Sequence, residues 1–253
     1  MGLLDHKTGV VTGANSGIGL ATAERFIAEG ADRVFITGRR QPELASAAAQ
    51  LGPRAVAVPG DVGAPEDLDR LYAEVDAAGK GLDVVVANAG STRVARLGEI
   101  TDDDLDALLT TNVKGVVYTV QKALPLLNDG ASIILTGSTT ADRGRAGLSI
   151  YAASKAAVRS FARTWANELA HRGIRVNVIV AGSTATPGSD SLAAQTDPNS
   201  SVDEFRAARV ATIPLGRFAD PVEIANAAVF LASDLSSFIT GSTVTADGGF
   251  NQV

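Results

Sequence analysis

The sequence contains no cysteine, which rules out disulfide bonds, thiolate zinc sites and a cysteine nucleophile. Histidine is almost as scarce: only His6 and His171 occur, so a histidine-rich metal site is excluded and a histidine general base has few candidates. No apolar stretch approaches the roughly 18 residues that span a membrane, and the N-terminal residues reach a charge too early for a secretion signal. We therefore expect a cytoplasmic protein that binds neither a metal nor a membrane.

Runs of like charge and basic stretches are also absent from the 253 residues. Acidic residues outnumber basic ones by 28 to 22, which gives a formal net charge of −6 and argues against binding to a phosphate backbone. The hydrophobic share of 45% and the charged share of 20% are typical of a globular protein rather than a disordered one. Since no linker-like composition divides the chain, we expect one domain over residues 1–253 and no nucleic-acid partner.

What the sequence does contain is an alternation of short β-branched runs with helical stretches. Runs such as Val84-Val85-Val86 are apolar on both faces, as expected of parallel strands covered by helices above and below. Long amphipathic helices are predicted over 101–127 and 151–170. The predicted strands span 8–11, 34–37, 55–58, 83–87, 132–136, 175–180 and 242–245. This order predicts a Rossmann-type α/β fold, in which helices cover both faces of a single doubly wound, mostly parallel seven-stranded sheet.

A glycine-rich turn follows the first predicted strand and leads into a helix-compatible stretch. Glycines let a backbone turn tightly and approach a pyrophosphate, whose charge the free N–H groups of the helix stabilise. Alone this is a weak signal, and a glycine-rich turn without a ligand is the alternative. The spacing, with glycines at 13, 17 and 19, is a T-G-x-x-x-G-x-G pattern that resembles the short-chain dehydrogenase/reductase family. The candidate phosphate-binding residues are Gly13, Asn15, Ser16, Gly17, Ile18 and Gly19.

The end of the second predicted strand bears on the choice of nucleotide. NAD-binding sites usually place an acidic residue there to hold the ribose 2′-hydroxyl. Here the segment is Gly38-Arg39-Arg40, which offers no carboxylate but two guanidinium groups suited to a 2′-phosphate. We therefore expect NADP(H), the alternative being two solvated arginines ahead of a helix. The family resemblance implies further contacts with the adenosine part of the cofactor, from Asp61, Val62, Asn88, Ala89 and Gly90.

Tyr151 and Lys155 stand four residues apart in a predicted helix, so both side chains project from one face. A positive charge close to a phenol, whose ordinary pKa is about 10, favours the phenolate and brings proton exchange closer to neutral pH. A packed tyrosine beside a surface lysine is the alternative. Ser138 closes the fifth predicted strand, where a hydroxyl can donate to a substrate carbonyl oxygen. Asn112 is an unfavourable residue for the middle of a helix, which suggests another role for it.

These four residues match the catalytic quartet of the short-chain dehydrogenase/reductase family. The resemblance implies that Tyr151 exchanges the proton and that Ser138 orients the carbonyl oxygen. It further implies that Lys155 binds the nicotinamide ribose and tunes Tyr151, and that Asn112 holds a water linked to Lys155.

The resemblance also implies cofactor contacts after the sixth predicted strand, from Gly182, Thr184 and Thr186. Ala181 stands where the family usually has proline, which removes a restraint on φ and loosens this turn. The segment 184–203 is rich in Thr, Pro, Gly, Ser and Asn and predicts a long, mobile loop. We expect this loop to shape the substrate pocket together with Leu148 and Asp142.

With the resemblance, the sequence predicts an NADPH-dependent oxidoreductase that reversibly reduces a ketone or aldehyde to an alcohol by hydride transfer. Two alternatives remain open. One is an NAD-dependent sugar or steroid dehydrogenase, which the missing acid at Gly38 disfavours; the other is a nucleotide-sensing protein without turnover, which has no need of the quartet. The substrate is a small carbonyl or alcohol compound that the residues do not identify. Family members are commonly tetramers, so the resemblance implies a homotetramer built through helices 101–127 and 151–170.

Overall fold

The computed structural model describes residues 2–197 and 199–253. Within these residues seven strands form one sheet, and each runs parallel to its neighbours. The strands are β1 (Thr8–Thr12), β2 (Arg33–Thr37), β3 (Ala55–Ala57), β4 (Leu82–Ala87), β5 (Leu127–Ser138), β6 (Arg175–Ala181) and β7 (Thr243–Ala246). Their spatial order is β3-β2-β1-β4-β5-β6-β7. All seven predicted strands are present, and the predicted Rossmann-type sheet is confirmed.

Helices cover both faces of this sheet. They are α1 (Gly17–Ala28), α2 (Gln41–Leu51), α3 (Pro65–Ala77), α4 (Asp102–Leu109), α5 (Gly115–Ala123), α6 (Ser149–Glu168), α7 (Pro187–Thr196), α8 (Val202–Val210) and α9 (Pro221–Ala232). Of the helices in the described residues, none combines the length and the apolar character needed to cross a bilayer.

Alternate residues of the central strands point to opposite faces of the sheet. Val85 and Ile133 are buried in the core beneath α3, α5 and α6. Val84, Val86 and Ile134 are buried in a second core beneath α1, α2 and α9. A strand that is buried on both faces needs consecutive apolar residues, which explains the valine and isoleucine runs in the sequence.

The order of the strands reverses at β1. β2 and β3 extend the sheet on one side of β1, whereas β4 to β7 extend it on the other. The connections that leave the carboxyl ends of β1 and β4 therefore run to opposite faces and leave a crevice between them, which is the usual ligand site of open α/β sheets. Gly13 and Asn88 directly follow these two strands.

The predicted helix over 101–127 is interrupted. α4 ends at Leu109, the residues Thr110–Lys114 form a π-helical turn, and α5 ends at Ala123. This turn carries Asn112, whose side chain is fully buried. The predicted helix is therefore present with a local widening at Asn112, but its predicted end was wrong, because Leu127 is the first residue of β5.

The segment predicted as a loop over 184–203, of which residue 198 lies outside the described residues, is more ordered than predicted in the part that the structure describes. Pro187–Thr196 forms α7, and α8 begins at Val202. Thr186 caps α7 by accepting a hydrogen bond from the Ser189 N–H at 3.2 Å, and proline suits the first helical position because no N–H partner is needed there. The prediction of a long loop was wrong because the weak periodicity of this segment concealed a helix whose start signals are local.

Candidate active site

Three glycines shape the turn between β1 and α1. Gly13 and Gly17 have φ values of 65° and 57°, in the left-handed region that residues with side chains rarely adopt. A Cβ on Gly19 would lie 2.4 Å from the carbonyl oxygen of Gly13, so α1 can pass this close to the strand end only with glycine at that position. The hydroxyl of Ser16 does not cap α1, and the N–H groups of the first turn are thus suited to an anion.

Thr12 and Asn88 hold the ends of β1 and β4 together beneath this turn. The Thr12 hydroxyl accepts hydrogen bonds from the backbone N–H groups of Asn88 and Ala89, both at 3.0 Å. The side-chain amide of Asn88 donates to the Thr12 carbonyl at 2.9 Å, and its oxygen accepts from the Thr136 hydroxyl at 3.3 Å. The Asn88 side chain therefore joins the ends of β1, β4 and β5 and fixes the floor of the crevice.

One end of the crevice, here called the outer cavity, has a volume of about 370 Å³. Arg39 lies 3.7 Å from the Asp61 carboxylate. Arg40 donates to the Ser16 hydroxyl at 3.3 Å and pairs with Glu43 at the same distance. Both arginines line this cavity, and Arg40 contacts the glycine turn. The predicted residues that line the outer cavity are Gly13, Asn15, Ser16, Gly38, Arg39, Arg40, Asp61, Val62, Asn88, Ala89 and Gly90.

The other end, here called the inner cavity, has a volume of about 250 Å³. It shares Asn88, Gly90, Ser91, Thr92 and Gly188 with the outer cavity, so the two form one continuous groove. The predicted residues that line the inner cavity are Ile18, Asn88, Gly90, Ser138, Tyr151, Lys155, Gly182, Thr184 and Thr186. The structure therefore brings Ser138 at the end of β5 together with Tyr151 and Lys155 of α6 at one end of the groove.

Lys155 is anchored to the sheet. Its Nζ donates a hydrogen bond to the backbone carbonyl of Thr136 at 2.8 Å, and the side chain is only 4% exposed. The same atom lies 5.8 Å from the centroid of the Tyr151 ring. Nothing in the sequence marks Thr136, because the group that Lys155 contacts is its backbone carbonyl.

Burial sets the charge states of this pair. It lowers the pKa of Lys155 to about 8, so the ammonium still carries its charge at pH 7. Burial raises the pKa of Tyr151, and hydrogen bonding from the Ser138 and Thr92 hydroxyls partly opposes that rise. At neutral pH the cavity therefore holds a protonated phenol close to a cationic lysine.

Asn112 lies behind the cavity and is fully buried. Its Oδ1 accepts from the Ser91 N–H at 2.9 Å, and its Nδ2 donates to the Ser91 carbonyl at 2.9 Å and to the Ser154 hydroxyl at 3.2 Å. Both amide donors are therefore used, and one lone pair of Oδ1 remains. A Cβ on Gly90 would lie 3.4 Å from this Oδ1 and 3.5 Å from Lys155 Nζ, so a glycine keeps the space between the two atoms open.

The residues after β6 pack against the glycine turn. A Cβ on Gly182 would lie 2.5 Å from the Cα of Asp247, so glycine is required there for the close approach of the chain after β7. The buried Thr184 donates to the Gly182 carbonyl at 3.0 Å. The methyl group of Thr186 lies 3.1 Å from the position that a Cβ of Gly17 would occupy. The segment after β6 therefore packs against both the glycine turn and the residues after β7.

The chain is similar in sequence and in structure to several known proteins. The family model described as enoyl-(acyl carrier protein) reductase matches residues 13–251. The chain is 46% identical to Oxidoreductase asL5 of Sarocladium schorii over 99% of this chain and 98% of that protein. It is 37% identical to the 3-oxoacyl-[acyl-carrier-protein] reductase FabG of Thermotoga maritima, with 97% and 98% covered. A solved short-chain dehydrogenase/reductase of Brucella melitensis, titled SDR:Glucose/ribitol dehydrogenase, matches with a TM-score of 0.92 at 31% identity, over 100% of this chain and 99% of that one.

The chain belongs to the short-chain dehydrogenase/reductase family. As a short-chain dehydrogenase/reductase it is an oxidoreductase, and the family uses nicotinamide cofactors. This outcome confirms the family resemblance that the sequence indicates.

The substrate side of this short-chain dehydrogenase/reductase differs from the sequence prediction. Leu148 lines the inner cavity as predicted and is 2% exposed. Asp142 does not line it, because its carboxylate is turned to the surface and paired with Arg159. Two further residues that the sequence analysis missed, Arg145 and Arg209, do line the inner cavity. No local motif marks them, since they come from distant parts of the chain.

Proposed function

We propose that this short-chain dehydrogenase/reductase reduces a ketone or aldehyde to an alcohol with NADPH and catalyses the reverse reaction with NADP⁺. The observation that carries this proposal is the buried Lys155 ammonium, held by the Thr136 carbonyl beside Tyr151 in a cavity that Ser138 also lines. The name of the Thermotoga maritima relative describes the reduction of a 3-oxoacyl group, which is a ketone, and this supports carbonyl chemistry here.

The groove fits a dinucleotide. The glycine turn packs closely against neighbouring atoms, the first turn of α1 has no side-chain cap, and the outer and inner cavities share five lining residues. We assign the pyrophosphate to the Gly13 to Gly19 turn, the nicotinamide ribose to Lys155 and the carboxamide to Thr186. When bound, NADPH supplies the hydride that is added to the carbonyl carbon of the substrate.

Tyr151 supplies the proton that the carbonyl oxygen then requires. Its phenol is protonated at neutral pH, since the ordinary pKa of a tyrosine is about 10 and burial raises that of Tyr151 further. The Ser138 hydroxyl donates a hydrogen bond to the same oxygen and stabilises the negative charge as it develops. The Lys155 ammonium stabilises the phenolate that remains, and in the oxidative direction this phenolate accepts the proton of the alcohol. Asn112 keeps its proposed role of holding a water that connects Lys155 to solvent.

Two arginines support NADPH over NADH. Arg39 and Arg40 both line the outer cavity. The residues between β2 and α2, 38–40, include no aspartate or glutamate that could bind a ribose 2′-hydroxyl. The Arg40 contact with Ser16 keeps its guanidinium close to the turn assigned to the pyrophosphate. A 2′-phosphate at this position would receive charge-assisted hydrogen bonds.

The homotetramer through α4, α5 and α6 stays a prediction.

Initial-rate measurements with NADPH and NADH against a panel of ketones, aldehydes and sugars test this function. We expect a clear preference for NADPH. The double variant Arg39→Ala/Arg40→Ala should lower kcat/KM for NADPH by about tenfold to a hundredfold, because charge-assisted contacts are lost, and should change kcat/KM for NADH far less. Arg33→Ala, at the opposite end of β2, is the matched control. Equal use of both cofactors by the unmodified protein would contradict the arginine argument, and the absence of turnover with either cofactor would contradict the reaction.

A further inference from the structure

The charged residues that line the inner cavity are all basic. They are Arg145, Lys155 and Arg209, and no aspartate or glutamate is found among the described residues lining it. Lys155 has its role beside Tyr151, whereas Arg145 and Arg209, here called the arginine pair, have none in the chemistry described above. Such a concentration of positive charge contrasts with the formal net charge of −6 of the whole chain.

Aromatic rings position the arginine pair. The Arg209 guanidinium lies 4.7 Å from the centroid of the Phe250 ring and donates to the Ser183 hydroxyl at 3.3 Å. The Arg145 guanidinium lies 5.4 Å from the centroid of the Phe205 ring. The face of a ring attracts and orients a guanidinium but does not neutralise it, so the charge remains available to a ligand.

Neither member of the arginine pair has a carboxylate within 4.0 Å among the residues that the structure describes. Arg206, also on α8, is by contrast paired with Asp190 at 2.7 Å. Burial lowers the pKa of both Arg145 and Arg209, and the nearby charges of Arg145 and Arg143 lower that of Arg209 further. Two half-buried like charges without a counter-ion form a site that an anion stabilises.

We propose that the arginine pair binds a carboxylate or phosphate group carried by the substrate, which is therefore an anionic ketone or aldehyde. This rests on the proposed function and specifies its substrate class. Both arginines line the inner cavity and neither lines the outer cavity, where Arg39 and Arg40 stand, so the arginine pair belongs to the catalytic end of the groove.

Apolar side chains complete the wall of the same cavity. They are Leu148, Leu192, Phe205 and Phe218. These residues suit a substrate with a short carbon chain, because burial of its apolar surface stabilises the complex. The polar groups of the cavity then bind the two ends of that chain. The carbonyl group is placed at Ser138 and Tyr151, and the anionic group at the arginine pair.

Matched acids and esters test the proposal. Methyl-ketone carboxylic acids of increasing chain length, beginning with acetoacetate and levulinate, are each compared with their methyl ester, which keeps the ketone and removes the charge. Hydroxyketone phosphates form a separate arm that distinguishes phosphate from carboxylate. For each pair the measurements are kcat/KM with NADPH and, by isothermal titration, the affinity for the protein loaded with NADP⁺.

We expect the acid, or the phosphate, to exceed its neutral counterpart by about tenfold or more in both measurements at the best chain length. Arg145→Gln and Arg209→Gln should each reduce this ratio by about tenfold, and Arg209→Lys should restore part of it. Arg206→Gln removes the same charge from the same helix outside the cavity and should leave the ratio unchanged. Circular dichroism of each variant establishes that it is folded.

Several outcomes separate the two proposals. A neutral ester that performs as well as its acid overturns the anion site and leaves the proposed function standing. Weaker NADPH binding in the arginine variants with an unchanged ratio also overturns it, because the pair then serves the cofactor. An acid that binds through the arginine pair but is never reduced supports the anion site and overturns the proposed function. If neither turnover nor charge-dependent binding is measured across the series, both the proposed function and the anion site are overturned.

Discussion

Replacing Lys155 with methionine should stabilise the cofactor-free protein while abolishing turnover. Lys155 is 4% exposed, and burial lowers its pKa from an ordinary 10.5 to about 8. A lysine whose pKa is lower in the folded than in the unfolded state destabilises the fold at pH values below about 8, and this cost declines as the pH rises toward 10.5. Methionine fills similar space without a charge.

The difference between the two pKa values sets the magnitude. The cost of keeping the ammonium charged in the fold is about 3 kcal/mol at pH 7 and about 2 kcal/mol at pH 9. The variant also loses the hydrogen bond to the Thr136 carbonyl, which is worth about 1–2 kcal/mol. We therefore expect the free energy of unfolding of Lys155→Met to exceed that of the unmodified protein by about 1–2 kcal/mol at pH 7, and this advantage to shrink by about 1 kcal/mol at pH 9.

Urea unfolding without cofactor, followed by circular dichroism at one protein concentration, measures both quantities. Lys114→Met is the matched control, since this exposed lysine lies in the π-helical turn and its removal should give no such pH-dependent difference. If the gap between Lys155→Met and the unmodified protein is the same at pH 7 and pH 9, the lysine does not titrate there and the argument from burial fails. A variant that retains turnover would remove Lys155 from the proposed mechanism.

Two further substitutions probe the quartet. Tyr151→Phe removes the proton donor and leaves the groove intact, so turnover should fall by about 10²–10⁴-fold while NADPH affinity, measured by fluorescence titration, is retained; near-normal turnover would exclude Tyr151 as the donor. Asn112→Ala removes the hydrogen-bond partner of both the Ser91 N–H and the Ser91 carbonyl, so urea unfolding should show a loss of about 2–4 kcal/mol, against no measurable change for the exposed Asn199→Ala. A loss no larger than that of Asn199→Ala would contradict a structural role for the Asn112 amide.

The sheet and the glycine turn could be predicted because their signals are local. A strand buried on both faces must be apolar at consecutive positions, so runs such as 84–86 identify themselves. The positive φ values at Gly13 and Gly17 require glycine wherever this turn occurs, and the i, i+4 spacing of Tyr151 and Lys155 places both on one helix face. Each of these features depends on a short stretch of chain.

The remaining features depend on contacts between distant residues. The π-helical turn accompanies the bonding of the Asn112 amide to Ser91, a partner 21 residues away that no periodicity reveals. The hydrogen bond from Lys155 to Thr136 uses a backbone carbonyl, which leaves no trace in the sequence. Arg145 and Arg209 line one cavity only because the connection before α6 and helix α8 converge there. Surface arginines are common, so neither one stands out before the fold is known.

The hydrogen bond between Lys155 and Thr136 has a consequence for how such an enzyme diversifies. Its acceptor is a main-chain atom on β5, a strand paired on both sides, so its position follows from strand pairing and not from the side chain at 136. The arginine pair and the apolar wall come instead from the connection before α6, from α7 and α8, and from the connection after α8. In the proposed mechanism, reactivity therefore depends on the scaffold, whereas the proposed substrate preference depends on these separate helices and connections. Mutations in these helices and connections can change the substrate preference without altering the residues proposed to transfer the proton.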